Sequence, residues 1–226
     1  QGRELWRYRE GDREVRIGRR LENGNILMVC PHVGQVMEVR PRGKFESDLI
    51  WSLNEVNYPY DALRLPGGNT LVAEHHAGRI AEYDPSRKCL RTFQIQLPMA
   101  LQRLDNGNIL VTSTSGVVEL DRDWKEVWRA DLKGQLRPWR AERLENGNTL
   151  VTDHLRGLVV ELDAASNEVW RQDGLSKPVQ ALRLEDGNTL ILEQVPGRLI
   201  EVDPAAPGRP VPVLQGLQGA SSVTMP

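Results

Sequence analysis

The chain has 226 residues, 39% of them hydrophobic and 27% charged, the balance of a folded protein rather than a disordered one. Lys and Arg total 29 against 31 Asp and Glu, and a net charge of −2 gives no electrostatic reason to expect nucleic acid or an anionic membrane as partner. No run approaches the roughly eighteen apolar residues a membrane span needs, and two cysteines, Cys30 and Cys89, are too few for a disulfide framework.

The first recognisable element along the chain is Glu4-Leu5-Trp6-Arg7-Tyr8, which reads as an outer strand whose preceding strands are absent. A repeat follows. Arg-Leu-x-x-Gly-Asn-(Ile/Thr)-Leu returns at Arg20–Leu27, Arg64–Leu71, Arg103–Leu110, Arg143–Leu150 and Arg183–Leu190. Its asparagines (Asn25, Asn69, Asn108, Asn148 and Asn188) are 44, 39, 40 and 40 residues apart. Periods of this size belong to solenoids, helical arrays and propellers alike, so local pattern decides.

That pattern is β throughout. Each unit opens with a short strand such as Ala181–Leu184, then turns at Asn-Gly, Gly-Gly or Asp-Gly, pairs suited to a tight type I′ hairpin. A strand rich in β-branched residues follows, such as Thr149–Thr152. After a loop ending in Gly come third strands at Val36–Val39, Ile80–Tyr83, Val117–Leu120, Val159–Leu162 and Leu199–Val202. A turn beginning with Asp leads to fourth strands, clearest at Glu126–Arg129 and Glu168–Arg171. No segment sustains a 3.6-residue period, which argues against helices. Two packed sheets could use such strands, but a sandwich does not need its units to be copies. The expectation is an all-β chain, a β-propeller of four-stranded antiparallel blades.

The units fall at about 15–58, 59–97, 98–137, 138–177 and 178–220, within a single domain over 1–226. Residues 1–14 hold the fourth strand of a terminal blade, and 221–226 look like the start of a further first strand. Two closures are open. Five blades can close with the N-terminal strand completing the last, or a sixth blade is split between the termini and incomplete. The strand count favours the six-bladed plan, which implies residues beyond Pro226. Its unpaired edges would favour a dimer.

Positions identical in every repeat serve the blade, and positions that vary are free to serve a site. Arg20, Arg64, Arg103, Arg143 and Arg183 recur, as do Glu38, Glu82, Glu119, Glu161 and Glu201. Pairing between them, rather than an anion-binding ring, is the expectation, because buried guanidinium groups need partners. Trp6, Trp51, Trp128 and Trp170 read as packing between blades, and the two cysteines as small apolar fillers. By contrast, Pro59, Pro98, Pro138 and Pro178, each ten residues before a repeat Asn, are followed by pairs that differ from blade to blade. Tyr60, Asp61, Trp139 and Arg140 are therefore candidates for ligand contact.

The histidines are the sharpest signal. His32, His75, His76 and His154 all fall in the loop between second and third strands, with Glu74, Asp153, Glu193 and Gln194 in the same loops. Imidazole and carboxylate are the donor set of a divalent metal, and equally of general acid–base chemistry. His32, His75, His76, His154, Glu74 and Asp153 are the candidate metal ligands, and Glu193 and Gln194 join the candidate ligand contacts. No fixed-spacing metal motif, nucleophile elbow or phosphate-cradling glycine loop is present in the sequence.

The units Gly107–Arg129 and Gly147–Arg171, with Asn-Gly-Asn-Thr-Leu, Val-Glu-Leu-Asp and a strand ending in Val-Trp, resemble bacterial propeller repeats of the pyrroloquinoline-quinone-like and arylsulfotransferase-like type. The resemblance covers nearly the whole chain and implies the fold, together with a periplasmic or other extracytoplasmic setting. Arylsulfotransferase-like enzymes use channel histidines and an arginine, yet no histidine here matches theirs by motif. Three readings follow. The first is a binding module for a small molecule, carbohydrate or protein at the loop face. The second is a metal- or histidine-dependent hydrolase, lyase or sulfuryl transferase. The third is a repeat fragment whose main property is folding or assembly.

Overall fold

A computed structural model describes residues 8, 14–132, 134–205 and 211–217. Five four-stranded antiparallel sheets follow one another along the chain as the blades of a five-bladed β-propeller. The first is β1 (Ile17–Arg20), β2 (Ile26–Cys30), β3 (Gln35–Arg42) and β4 (Glu46–Leu53). The second is β5 (Pro59–Arg64), β6 (Thr70–Glu74), β7 (Arg79–Tyr83) and β8 (Cys89–Gln94). The third is β9 (Pro98–Arg103), β10 (Ile109–Ser113), β11 (Gly116–Leu120) and β12 (Glu126–Asp131). The fourth is β13 (Pro138–Arg143), β14 (Thr149–Asp153), β15 (Leu158–Leu162) and β16 (Glu168–Gln172). The fifth is β17 (Pro178–Arg183), β18 (Thr189–Glu193), β19 (Arg198–Val202) and β20 (Val211–Gln215). The chain packs as two compact units, one ending at Pro98 and the other beginning at Met99.

No sixth sheet is present among the described residues, and the fifth is completed by β20 from its own repeat rather than by the N-terminal strand. The expected strand at Glu4–Tyr8, apart from Tyr8, lies outside the described residues. So do Trp6, the further first strand at 221–226 and the unpaired edges of a split blade. The longer first interval has a simple origin. β3 and β4 have eight residues each, against five or six for their counterparts, so the first blade carries an extended outer hairpin.

The hairpin between first and second strands differs from the expected type I′ turn. In each Asn-Gly and Asp-Gly repeat only the glycine takes a positive φ. The glycine N–H donates to the leucine carbonyl three residues back (Gly24 to Leu21, Gly147 to Leu144), and the leucine N–H then pairs with the repeat Asn carbonyl. This is a β-turn closed by a left-handed glycine, the bulged hairpin. The residue before the glycine has a different job. The side chains of Asn23, Asn106, Asn146 and Asp186 each accept the backbone N–H two residues on, an Asx turn that needs no positive φ.

Pleating splits each second strand between two apolar layers. In the first unit, Leu27 and Val29 of β2 join Val36, Ala62, Val72 and Ala81 between blades, while Met28 and Cys30 face away toward Met37 and Val39. In the second unit, Leu110, Val117, Val151 and Val160 fill one layer between blades, and Leu150, Val159, Ile191 and Ile200 the next. Cys30 is core filler as expected, but Cys89 is not: it opens the edge strand β8 and is exposed.

A repeated polar latch crosses these layers. Arg64 of the second blade donates to Glu38 of the first at 2.7 Å, and Asn25 donates to the same carboxylate at 2.5 Å. In the second unit Arg143 and Asn148's counterpart Asn108 meet Glu119 at 2.9 and 2.7 Å, while Arg183 and Asn148 meet Glu161 at 2.5 and 2.6 Å. Each guanidinium also lies over the tryptophan of the blade it reaches: Arg64 over Trp51, Arg143 over Trp128 and Arg183 over Trp170. Trp51 and Trp128 reach onward to donate to the Pro85 and Ala164 carbonyls of the following blades. The arginines are therefore scaffold, and the second blade shows why the tryptophan matters. Arg91 takes the tryptophan's register position there and pairs with Glu82 at 2.7 Å within its own blade.

Burial pushes the Glu38 carboxyl up, but bonds from Asn25, Asn23 and Arg64 outweigh it and hold it below the ordinary value. A depressed carboxyl stabilises the fold above its unfolded pKa of about 4.3, and that contribution fades as pH falls through the folded value. Denaturant midpoints should therefore drop on the acid side of about pH 4, and less steeply in Glu38→Gln. Glycine gives a second test. Gly147 has a positive φ and open space, whereas a Cβ on Gly157 would lie 2.2 Å from the Leu175 carbonyl oxygen. Gly147→Ala should cost about 1 kcal/mol, the strain of a left-handed alanine, and Gly157→Ala at least twice that by urea titration.

Candidate ligand-binding site

Strand register brings the variable residues together. Pro59 is opposite Glu74, Pro138 opposite Asp153 and Pro178 opposite Glu193, so each blade connection lies beside the loop after the second strand. The residue before the proline is bent to meet that loop. Tyr58 and Lys177 have φ near 53°, and their carbonyls accept the N–H groups of His75 and Gln194. A left-handed non-glycine residue costs about 1 kcal/mol or more, comparable to one net hydrogen bond. The connection is thus locked to the loop at little net energy.

In the first unit this arrangement builds one continuous cluster of rings. Tyr58 stacks on His76 with centroids 4.2 Å apart, and Tyr60 stacks on His75 at 4.0 Å. Tyr58 and Tyr60 are 5.7 Å apart and His75 and His76 5.4 Å, which joins the two stacks. His32 from the loop after β2 meets the Tyr58 ring edge-on, and its Nδ1 lies 3.3 Å from the Tyr58 hydroxyl. Arg16, just before β1, closes the far side. Its guanidinium sits 3.7 Å over Tyr60 and donates to the Tyr60 carbonyl. His76 and His32 are exposed, and Tyr58, Tyr60 and His75 half-buried, so the cluster forms a shelf rather than a core.

The shelf's electrostatics follow from its neighbours. Burial lowers the His75 pKa, and the nearby charges of His76 and Arg16 lower it further against a bond to the Pro98 carbonyl. A carbonyl only accepts, so that bond puts the hydrogen of neutral His75 on Nδ1 and leaves Nε2 with a lone pair. His32 turns Nε2 toward Glu14 at 3.2 Å.

The carboxylates expected at the site are occupied otherwise. Asp61 is fully buried and holds Arg19 through both oxygens, at 2.7 and 2.9 Å, while also accepting the Ala62 N–H. Glu74 accepts from Arg79 and, at 2.5 Å, from Tyr83. Burial and the Glu74 carboxylate both push the Tyr83 hydroxyl up, so it stays a donor. In the second unit Asp153 accepts the N–H groups of Arg137, Leu155 and Arg156 and pairs with the Arg156 side chain. Glu193 likewise accepts the Ser176 N–H and pairs with Arg198. All four serve as turn clamps or strand ties. Among the described residues no group of three or more His, Cys, Asp or Glu side chains is arranged to hold a metal. The expected ligand set of His32, His75, His76, His154, Glu74 and Asp153 is therefore not assembled, because its carboxylates are bound to arginines.

The remaining candidates lie in the second unit. His154 is buried and stacks on Trp139 at 4.5 Å, and Trp139 also packs on the fifth blade's Val179, Leu190, Leu192 and Leu199. Arg140 is half-buried and its N–H meets Thr152 Oγ1. Gln194 is half-buried at the head of its loop. Three shelf residues were not anticipated: Tyr58, Arg16 and Glu14. Tyr58 had a visible signal, since it immediately precedes the marker proline. Arg16 had one too, since it stands nine residues before its repeat Asn as Tyr60 and Trp139 do before theirs, but no marker proline precedes it; Glu14 had none.

No protein-family model matches the chain, and no curated protein matches it. Solved structures do. The chain is similar to virginiamycin B lyase from Staphylococcus aureus, solved with quinupristin, at TM-score 0.70 and 11% identity over 94% of this chain and 74% of that one. The likeness is one of fold. A protein of unknown function from Bacteroides caccae aligns at TM-score 0.65 and 20% identity, over 90% of this chain and 83% of that one. The extracellular domain of a hybrid two-component system from B. thetaiotaomicron aligns at 0.65 and 16%, over 90% of this chain and 28% of that one. A lyase, an extracellular domain and a protein of unknown function share the scaffold, so the fold names no activity.

Two measurements check this geometry. An NMR titration of ring signals should place the His75 midpoint below the ordinary value of about 6.5, so that its contribution to stability is complete above that pH and fades as pH falls. Asp61→Asn, which leaves Arg19 facing a neutral amide, should lower unfolding free energy by about 3 kcal/mol.

Proposed function

We propose that the chain is a ligand-binding propeller module whose site is the shelf of Tyr58, Tyr60, His75, His76, His32 and Arg16. One observation carries the reading. Rings from three separate segments stack on one another while remaining partly open to solvent, at positions where the repeat allows any residue. The blade does not need this arrangement, because its own aromatic positions are met by Trp51, Trp128 and Trp170. A polar, aromatic ledge on a rigid scaffold is the usual form of a small-molecule site.

The repeats themselves we infer to be of the pyrroloquinoline-quinone-like and arylsulfotransferase-like kind, used here for binding. The reading includes an extracytoplasmic location, in keeping with the extracellular domains among the similar structures. No helix among the described residues is long and apolar enough to cross a membrane.

A ligand-observed NMR screen with sugars, aromatic acids and short peptides tests the reading. Binders should perturb the Tyr58 and His76 ring signals. Tyr58→Ala and His76→Ala should each weaken binding about tenfold, or 1.4 kcal/mol, with an unchanged melting temperature for the exposed His76. Binders that ignore both substitutions would place the function elsewhere.

A further inference from the structure

The charges around the shelf carry the reading further. Among the described residues, the buried carboxylates that pack near it already have cations: Asp61 on β5 holds Arg19 of β1 and Glu74 on β6 holds Arg79 of β7, while the exposed Glu14 meets the His32 imidazole. Also on β7, Tyr83 donates to Glu74 and stays neutral, and Glu82 pairs with Arg91 of β8. Tyr58 and Tyr60 offer ring faces without charge. What remains is the pair of imidazoles of His75 and His76, 5.4 Å apart. Among the described residues neither His75 nor His76 meets a carboxylate within 4 Å. A proton added to either ring is thus balanced by nothing in its surroundings.

We propose that the shelf binds a small anion, a carboxylate or a phosphate, and takes up a proton as it does so. The inference rests on the shelf being the binding site. Three features favour an anion over a neutral sugar. The titratable rings at the site are potential cations, the buried carboxylates Asp61 and Glu74 beside it are neutralised, and the Nδ1–H of His75 is fixed on a carbonyl so that a second proton must enter at Nε2. An anion set between His75 and His76 supplies the missing counter-charge to that second proton, as an ionised partner favours a charged imidazole. Binding and protonation are then linked, and each strengthens the other by the same factor. The inner tyrosine layer shields the pair from water on one side and keeps the rings in register.

Calorimetry on the full chain with benzoate, inorganic phosphate and methyl glucoside, at about pH 5.5 and pH 7.5 and in two buffers of different ionisation enthalpy, tests this directly. At least one anion should bind about tenfold or more tightly at the lower pH, with net proton uptake, and methyl glucoside should show neither. Comparison of benzoate with phosphate identifies the preferred headgroup. His75→Gln and His76→Gln should each reduce the proton uptake and flatten the pH dependence, while His154→Gln, in the other unit, should leave both intact. Anion binding without pH dependence, or proton uptake that survives both shelf substitutions, would overturn the inference and leave the shelf as a binding site. Equal affinity for the glucoside would overturn it in the same way. Failure of all three probes, together with a ligand screen in which Tyr58→Ala changes nothing, would remove the site itself.

Discussion

A carboxylate that leaves water must be met by donors on several sides, and this requirement organises the molecule. Glu38, Glu119 and Glu161 are each met by an asparagine from their own blade and an arginine from the next. The pairing ties the first sheet to the second, the third to the fourth and the fourth to the fifth, and so accounts for the recurring Arg, Asn and Glu at those joints. Replacing one partner leaves a buried charge, a far larger penalty than loss of a surface ion pair. Apolar area between blades supplies the bulk of the stability, but it is not directional. The latch fixes which face of each strand points where.

The same requirement acts a second time at the end of each second strand. Glu74, Asp153 and Glu193 are buried and satisfied by arginines, by backbone N–H groups or by a tyrosine. Once these carboxylates are committed, the chemistry left on the loop face is that of neutral rings and bases. That shift from carboxylate to imidazole and aromatic groups gives the shelf its character.

The architecture was legible because it is written five times. Strand positions, the third-strand alternation and the Arg–Glu pairing could be read from a chain aligned with itself. The bulged turn was missed because Asn-Gly serves two geometries: a left-handed asparagine, or an asparagine whose side chain caps the turn. Of the five or six blades expected, five sheets lie among the described residues, and the N-terminal segment that suggested a sixth lies, Tyr8 apart, outside them. At the site, His32, His75 and His76 were found through their shared loop position, and Tyr60 through its place after a proline. Asp61, Glu74, Asp153 and Glu193 looked equally chemical in the sequence. Only coordinates reveal that an arginine has claimed each of them, from another strand for Asp61, Glu74 and Glu193 and from its own loop for Asp153.

The clamp at the second strand's end has an evolutionary side. Where the carboxylate is absent, Ser113 ties a shorter loop by hydrogen bonding to Gly116 and Ser115, and the blade keeps its register. One anchor recurs in every described blade, the glycine or serine carbonyl at the loop's far end, which the N–H after the fourth strand reaches; the start of the loop is tied differently from blade to blade. Ahead of that fixed point, length and chemistry are free to drift. Such a chain can try new recognition surfaces one segment at a time, without wagering the scaffold on any of them.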